Sequence, residues 1–247
     1  MDKLESSNLA IVIPAYNEGQ TIESIASRAL AVSPNVIIVN DGSTDNTQEA
    51  AEKLGLHVIN HVMNMGKANA LWDGIQAARE IDGVIGIVTI DADGQHLPED
   101  IPRLIEKYNQ YPEDVIIGAR LLKQENAPRK RLLANKFADF WVSWAAGHRI
   151  YDSQSGFRLY PAKVFEGLWL PHDPSRRFVF ESQILIKIGA KKHNFRTVPV
   201  ESIYPENARP SHFRPVKDIT SIVLMVASSL AGNLFNLSGL YKVLAGR

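Results

Sequence analysis

The chain has 247 residues, is 45% hydrophobic and contains no cysteine. That size and composition suffice for a substantial core and exclude global disorder, a disulfide framework, thiolate metal ligands and a cysteine nucleophile. Lys and Arg number 27 and so do Asp and Glu, so bulk charge selects no nucleic acid or other polyanion as partner. Residues 1–8 are polar and lack the apolar core of a secretory leader, and the expected location is cytoplasmic. Residues 9–13 read as a buried strand that stops at Pro14. Ile22, Ile25, Ala26, Ala29 and Leu30 then recur at helical spacing. Residues 36–39 form the next strand. Asp45 with Gln48 makes a capping box for a helix that Gly55 ends, and residues 58–59 are a short strand. A helix spans 66–80, with Leu71, Ile75 and Ala78 on one face. The continuous β-branched run 84–90 reads as a strand covered on both faces. Ile101, Leu104, Ile105 and Tyr108 mark another helix, and 115–117 another strand.

This alternation predicts an α/β fold with a mostly parallel sheet and helices on both faces. Ligands of such sheets sit beyond the carboxyl ends of the strands. The polar clusters 17–18, 40–43 and 91–95 each follow a predicted strand and so belong on one rim. The second half is less regular. A basic stretch, 120–136, leads into Phe137, Phe140, Trp141 and Trp144. Residues 180–188 read as a helix capped by Gly189, and 195–203 as a strand. Residues 219–241 carry no charge. Ser228, Ser229, Asn233, Asn236 and Ser238 interrupt that run, which favours one or two helices lying on a membrane surface or docked in an oligomer, or else packed on the domain.

Three clusters carry chemistry. Asp91 and Asp93 stand one residue apart at the end of a wholly apolar strand, with the neutral oxygen donor Gln95 two residues on. Such a set suits a hard divalent cation, Mg²⁺ or Mn²⁺, that also takes phosphate oxygens and water. A polar turn is the alternative for an isolated Asp-Gly, but it leaves two acids against the apolar strand unexplained. Asp41, followed by Gly42 and Ser43, fits a base or ribose contact as well as a turn or helix cap. Pro14 to Glu18 is a loop with one aromatic and one acid.

Pro14-Ala15-Tyr16-Asn17-Glu18, Val39-Asn40-Asp41-Gly42-Ser43-Thr44-Asp45, Gly66-Lys67-Ala68-Asn69-Ala70 and Asp91-Ala92-Asp93-Gly94-Gln95-His96 occur in this order. Together they resemble the family 2 glycosyltransferases of the GT-A fold, and most of all the dolichyl- or polyprenyl-phosphate sugar synthases. Gly118-Ala119-Arg120 and Asp152-Ser153-Gln154-Ser155-Gly156-Phe157-Arg158 extend the likeness over about residues 9–215. The resemblance implies that Pro14, Tyr16, Glu18 and Asp41 hold the nucleotide and that Lys67 sits near the donor. It further implies that Asp91, Asp93 and Gln95 handle metal and diphosphate. Arg120, Arg131 and Asn135 then match places that grip an acceptor phosphate, with Arg214 a further phosphate contact.

The expected reaction is inverting, metal-dependent transfer of a sugar from a GDP- or UDP-sugar to a polyprenyl-phosphate-type lipid at the cytoplasmic face of a membrane. The expected organisation is a catalytic domain, 1–215, and an apolar helical segment, 216–247, with peripheral membrane contact and an oligomer among the possibilities. Glu181-Ser182 stands where hydroxyl-glycosylating relatives often carry Glu-Asp, whose Asp is the general base. A phosphomonoester already bears nearly two negative charges and needs cations more than a base. Asp152 and Glu181 remain the base candidates for a lipid or saccharide hydroxyl acceptor. A nucleotidyltransferase would carry a Gly- and basic-rich loop after its first strand, which 14–18 lacks. A non-catalytic nucleotide-sugar binder would have no need of the Asp91/Asp93 pair.

Overall fold

The computed structural model describes residues 3–122, 129–168, 180–203, 215–232 and 234–245. In chain order the first half runs β1 (Leu9–Ala15), α1 (Ile22–Leu30), β2 (Asn35–Asn40), α2 (Thr47–Glu52), β3 (His57–Asn60), α3 (Lys67–Glu80), β4 (Gly86–Thr89), α4 (Ile101–Gln110) and β5 (Val115–Leu122). The second half adds α5 (Arg129–Ala146), β6 (Arg158–Pro161), α6 (Phe180–Ala190), β7 (Phe195–Glu201), α7 (Pro215–Gly232) and α8 (Leu237–Leu244). The seven strands form one sheet in the order β3-β2-β1-β4-β6-β5-β7. All described pairings are parallel except those of β6, which runs antiparallel to both β4 and β5.

Strand side chains alternate between two cores, which is why β1 and the central residues of β2 and β4 are apolar. Ala10, Val12, Ile37, Val39 and Ile87 face a core shared with Leu71 and Ile75 of α3, Val142 of α5 and Ile184 of α6. Leu9, Ile11, Ile13, Ile38 and Val88 face the opposite core, filled by Ile22 and Ile25 of α1 and Leu104 of α4. Each fully buried side chain of this size contributes about 1.5–3 kcal/mol of transfer free energy.

Several local expectations change. β1 does not stop at Pro14: it continues to Ala15, with Pro14 opposite Val39. The Val12 carbonyl bonds toward the β4 side, accepting from Ile90 N at 3.1 Å, so the two-residue period points Pro14 to that same side. β4 pairs no further than Thr89, opposite Val12, so the missing N–H of Pro14 costs no ladder bond. The capping box also fails. Asp45 accepts from Thr47 N at 3.0 Å and from the Thr47 hydroxyl, while Gln48 donates forward to Glu52 at 2.7 Å. Gly189 lies inside α6, not at its cap, and a Cβ there would stand 2.4 Å from the Ala146 carbonyl; its role is close packing on α5. The expected strand 84–90 is shorter, 115–117 is longer, and β6 was not anticipated.

The uncharged C-terminal run becomes α7 and α8. Ile222, Val226 and Leu230 enter the α3/α5/α6 core. Trp144 Nε1 donates to the Phe235 carbonyl at 2.9 Å, and Asn236 Nδ2 to the Trp144 carbonyl at 3.1 Å, joining α8 to α5. No single described helix is long and apolar enough to cross a membrane; α7 and α8 together, as a bent pair, reach that length and composition.

Candidate active site

The carboxyl ends of β2, β1 and β4 are neighbours, so their loops form one rim. Its side chains zip the loops together. Asn17 N donates to Ser43 Oγ at 2.9 Å, Thr44 N to Asn17 Oδ1 at 2.8 Å, and Glu18 N to Thr47 Oγ1 at 2.8 Å. Asn17 adopts a left-handed conformation (φ 57), which Asn tolerates better than most residues. Pro14 is buried in β1, while Tyr16 and Glu18 are half-buried on the rim.

Asp41 is 2% exposed, and its carboxylate organises the loop ahead of α3. It accepts from the backbone N–H of Met65 and of Gly66, each at 2.8 Å. His61 Nδ1 lies 2.8 Å from the same carboxylate, and its Nε2 lies 3.1 Å from Asp73. Gly66 takes φ 91 as it enters α3, a conformation that L side chains rarely adopt. This loop delivers Lys67, the first residue of the helix, to the rim.

Lys67 Nζ lies 2.8 and 2.9 Å from the two oxygens of Asp91 and 2.9 Å from Glu181 Oε1 at the start of α6. Burial works against the ammonium, but Asp91 and then Glu181 outweigh it and raise the lysine pKa. Burial likewise opposes ionisation of Asp91, and Lys67 overcomes it and lowers the carboxyl pKa. Gly156 makes room for this pair, because a Cβ there would stand 2.7 Å from the Asp91 oxygens. Asp93 differs: burial and the charge of Asp91 raise its pKa, although it accepts from Gln95 N at 2.9 Å. Ile203 N donates to the Gln95 carbonyl at 3.0 Å and pins the loop to the end of β7.

The donor chemistry of Asp91, Asp93 and Gln95 fits a hard divalent cation, because an oxygen-ligated ion would relieve the repulsion felt by Asp93. Among the described residues no three acids or histidines converge on one point. A bound ion here would therefore complete its shell with phosphate oxygens and water, the usual habit of Mg²⁺.

Beside this centre, Arg120 and Asp152 form a tight pair. Asp152 accepts from Arg120 N and Nε, both at 2.8 Å, and from Nη2 at 2.6 Å. Burial opposes its charge, but these bonds hold its pKa below the ordinary carboxylate value. His96 is 2% exposed and packs on Phe157 at 5.2 Å; burial, then Arg120, pulls its pKa down to about 4.

Two positioning residues have roles that the sequence does not announce. Arg158, 1% exposed on β6, donates to the carbonyls of Ser153 at 2.8 Å and Glu181 at 2.9 Å, and so links the Asp152 turn to α6. Asp139 of α5 accepts from the N–H groups of Asp152 and Ser153. Its own pKa is raised by burial, against the pull of those bonds. Arg131 lies in the first turns of α5, but its side chain falls outside the described residues, as does Arg214 entirely; Asn135 is half-buried on the same helix.

Residues 10–176 match the family model described as glycosyl transferase family 2. The UDP-N-acetylglucosamine–dolichyl-phosphate N-acetylglucosaminyltransferase of Methanococcus voltae is 30% identical over 217 residues, covering 79% of this chain and 86% of that protein. The polyprenol monophosphomannose synthase of Mycolicibacterium smegmatis is 30% identical over 207 residues, covering 79% and 77%. Among solved structures, the glucosyl-3-phosphoglycerate synthase of Mycobacterium tuberculosis, in complex with Mg²⁺ and UDP, aligns with a TM-score of 0.62 at 20% identity. That alignment covers 92% of this chain and 79% of the other, and it establishes a shared GT-A fold. The chain belongs to glycosyl transferase family 2 and is a glycosyltransferase.

Proposed function

We propose that the enzyme transfers a sugar from a nucleotide-sugar donor to the phosphate oxygen of a polyprenyl-phosphate-type lipid. The observation that carries this reading is the state of the two base candidates. Asp152 takes three hydrogen bonds from Arg120, which lower its pKa and make it a weak base, and Glu181 is tied through Oε1 to Lys67. A hydroxyl acceptor needs a base, whereas a phosphomonoester is already ionised and needs cations to place it. The names of the M. voltae and M. smegmatis relatives point the same way.

In this reading the rim of Tyr16, Glu18 and the Asp41-anchored loop receives the nucleotide. Asp91, Asp93 and Gln95 would hold Mg²⁺ or Mn²⁺, which supplies charge neutralisation for the departing diphosphate. Lys67 keeps Asp91 ionised and in place. Arg120, with Arg131 and Arg214, orients the acceptor phosphate through charge-assisted hydrogen bonds. Attack in line with the departing diphosphate inverts the anomeric carbon.

Exposed apolar side chains on α5 (Leu133 and Phe137) and α8 (Leu237, Tyr241 and Leu244) support peripheral contact with the membrane that carries such a lipid. Acceptor and donor kinetics on Arg131→Ala and Glu181→Gln test the assignment. A phosphate acceptor predicts a raised acceptor KM in Arg131→Ala with donor KM unchanged, and residual turnover in Glu181→Gln. A dead Glu181→Gln beside an unaffected Arg131→Ala would instead assign a hydroxyl acceptor.

A further inference from the structure

We propose that Asp139 is a positioning residue that sets the direction of the Arg120 guanidinium through Asp152. The proposal rests on the phosphate-acceptor reading of Arg120. Asp139 Oδ2 accepts from Asp152 N at 3.0 Å, and Oδ1 accepts from Ser153 N at 2.7 Å. These two N–H groups open a turn in which Asp152 takes φ 53, the left-handed region that residues other than glycine adopt only where local hydrogen bonds hold them. Asp152 is 6% exposed and Ser153 fully buried, so neither N–H has water as a substitute partner. The Asp139 carboxylate matches both donors at once and holds the turn in its unfavourable conformation.

That conformation aims the Asp152 side chain back at β5. There it takes the backbone N–H, Nε and Nη2 of Arg120 together. A guanidinium is planar, so fixing its Nε and Nη2 edge fixes the direction of the Nη1 edge. Arg120 is in register with Val200 of β7, so the ladder sets the face of the sheet it leaves from, while the rotamers of this long side chain are left to its partners. The chain of control runs from α5 to the turn, from the turn to Asp152, and from Asp152 to the arginine. Asp139 need not touch substrate in this arrangement.

A double-mutant cycle separates positioning from mere structural support. The full-length enzyme is assayed with a short, detergent-soluble polyprenyl monophosphate as the acceptor probe, and nucleoside diphosphate affinity is measured by calorimetry. Asp139→Ala should raise the acceptor KM about tenfold, the scale of one lost charged hydrogen bond, with diphosphate affinity unchanged. In an Arg120→Ala background the same change should cost almost nothing more, because its effect passes through that guanidinium. Asp139→Asn, nearly the same shape, keeps one acceptor oxygen and should fall between; it carries the same cycle if the alanine variant does not fold. An undiminished effect of Asp139 substitution in the Arg120→Ala background would overturn the proposal, as would an equal loss of diphosphate affinity. Wild-type acceptor kinetics in Arg120→Ala would overturn the phosphate reading itself and, with it, the positioning role. An impaired Arg120→Ala beside an unaffected Asp139→Ala would overturn the positioning role alone.

Discussion

Lys67 and Asp91 meet with the ammonium 2.8 and 2.9 Å from the two carboxylate oxygens, and the same ammonium reaches Glu181 at 2.9 Å. One cation from the start of α3 thus ties the end of β4 to the start of α6. Removing it leaves Glu181, with a side chain 5% exposed, without its counter-charge. Lys67→Met should lower unfolding free energy by about 1–3 kcal/mol, below the full cost of breaking a buried pair because the lysine is a quarter exposed. Urea unfolding at neutral pH reads this directly. An unchanged midpoint would show that the network contributes nothing to stability.

Asp93 predicts the opposite sign. Burial and the charge of Asp91 raise its pKa, so its ionised form is a burden on the fold at neutral pH. Asp93→Ala should abolish transfer and Mn²⁺ binding while leaving the urea midpoint equal to or above wild type. Chelator should likewise stop transfer, and Mg²⁺ or Mn²⁺ should restore it. Full activity in chelator would remove the metal from the account.

Asp152 governs an acid limb. Its folded pKa lies below the ordinary carboxylate value, so its pairing with Arg120 contributes stability that is fully present above about pH 4. That contribution is lost as pH falls through the folded value. The stability gap between wild type and Asp152→Asn should therefore be widest at neutral pH and close in acid. A gap independent of pH would mean that the carboxylate charge is not what Arg120 stabilises.

Much of this arrangement was legible in the sequence. β1 and the central residues of β2 and β4 are apolar because both sheet faces are covered, and the polar clusters that follow them fall on one rim because these neighbouring strands run parallel. β6 was hidden because it is four residues long and carries Arg158, a buried charge in a middle strand that no hydrophobic pattern announces. Asp139 was hidden because it sits among aromatic residues on a helix with no local partner; its hydrogen bonds exist only once the Asp152 turn folds against α5. The pairing of Lys67 with Glu181 depends on the packing of α6, which spacing along the chain does not encode. Asn17, Ser43 and Thr47 carry the bonds between two loops, and those bonds too arise only when β1 and β2 lie side by side.

The apolar face of α8 gives a further prediction. Leu237, Tyr241 and Leu244 are each about two-thirds exposed or more, with Lys242 beside them. Replacing the three with serine should reduce sedimentation with anionic liposomes, while transfer to a detergent-soluble acceptor persists. Equal sedimentation of the variant and wild type would place the membrane contact elsewhere or exclude it.

The proposed acceptor atom is a phosphate oxygen. The most direct test incubates the purified enzyme with a panel of nucleotide sugars and either a polyprenyl monophosphate or the matching polyprenol, then weighs the lipid by mass spectrometry. A phosphate acceptor gives a lipid heavier by one sugar residue from the phosphate and no product from the alcohol. Glycosylated polyprenol, with the phosphate left unmodified, would contradict it.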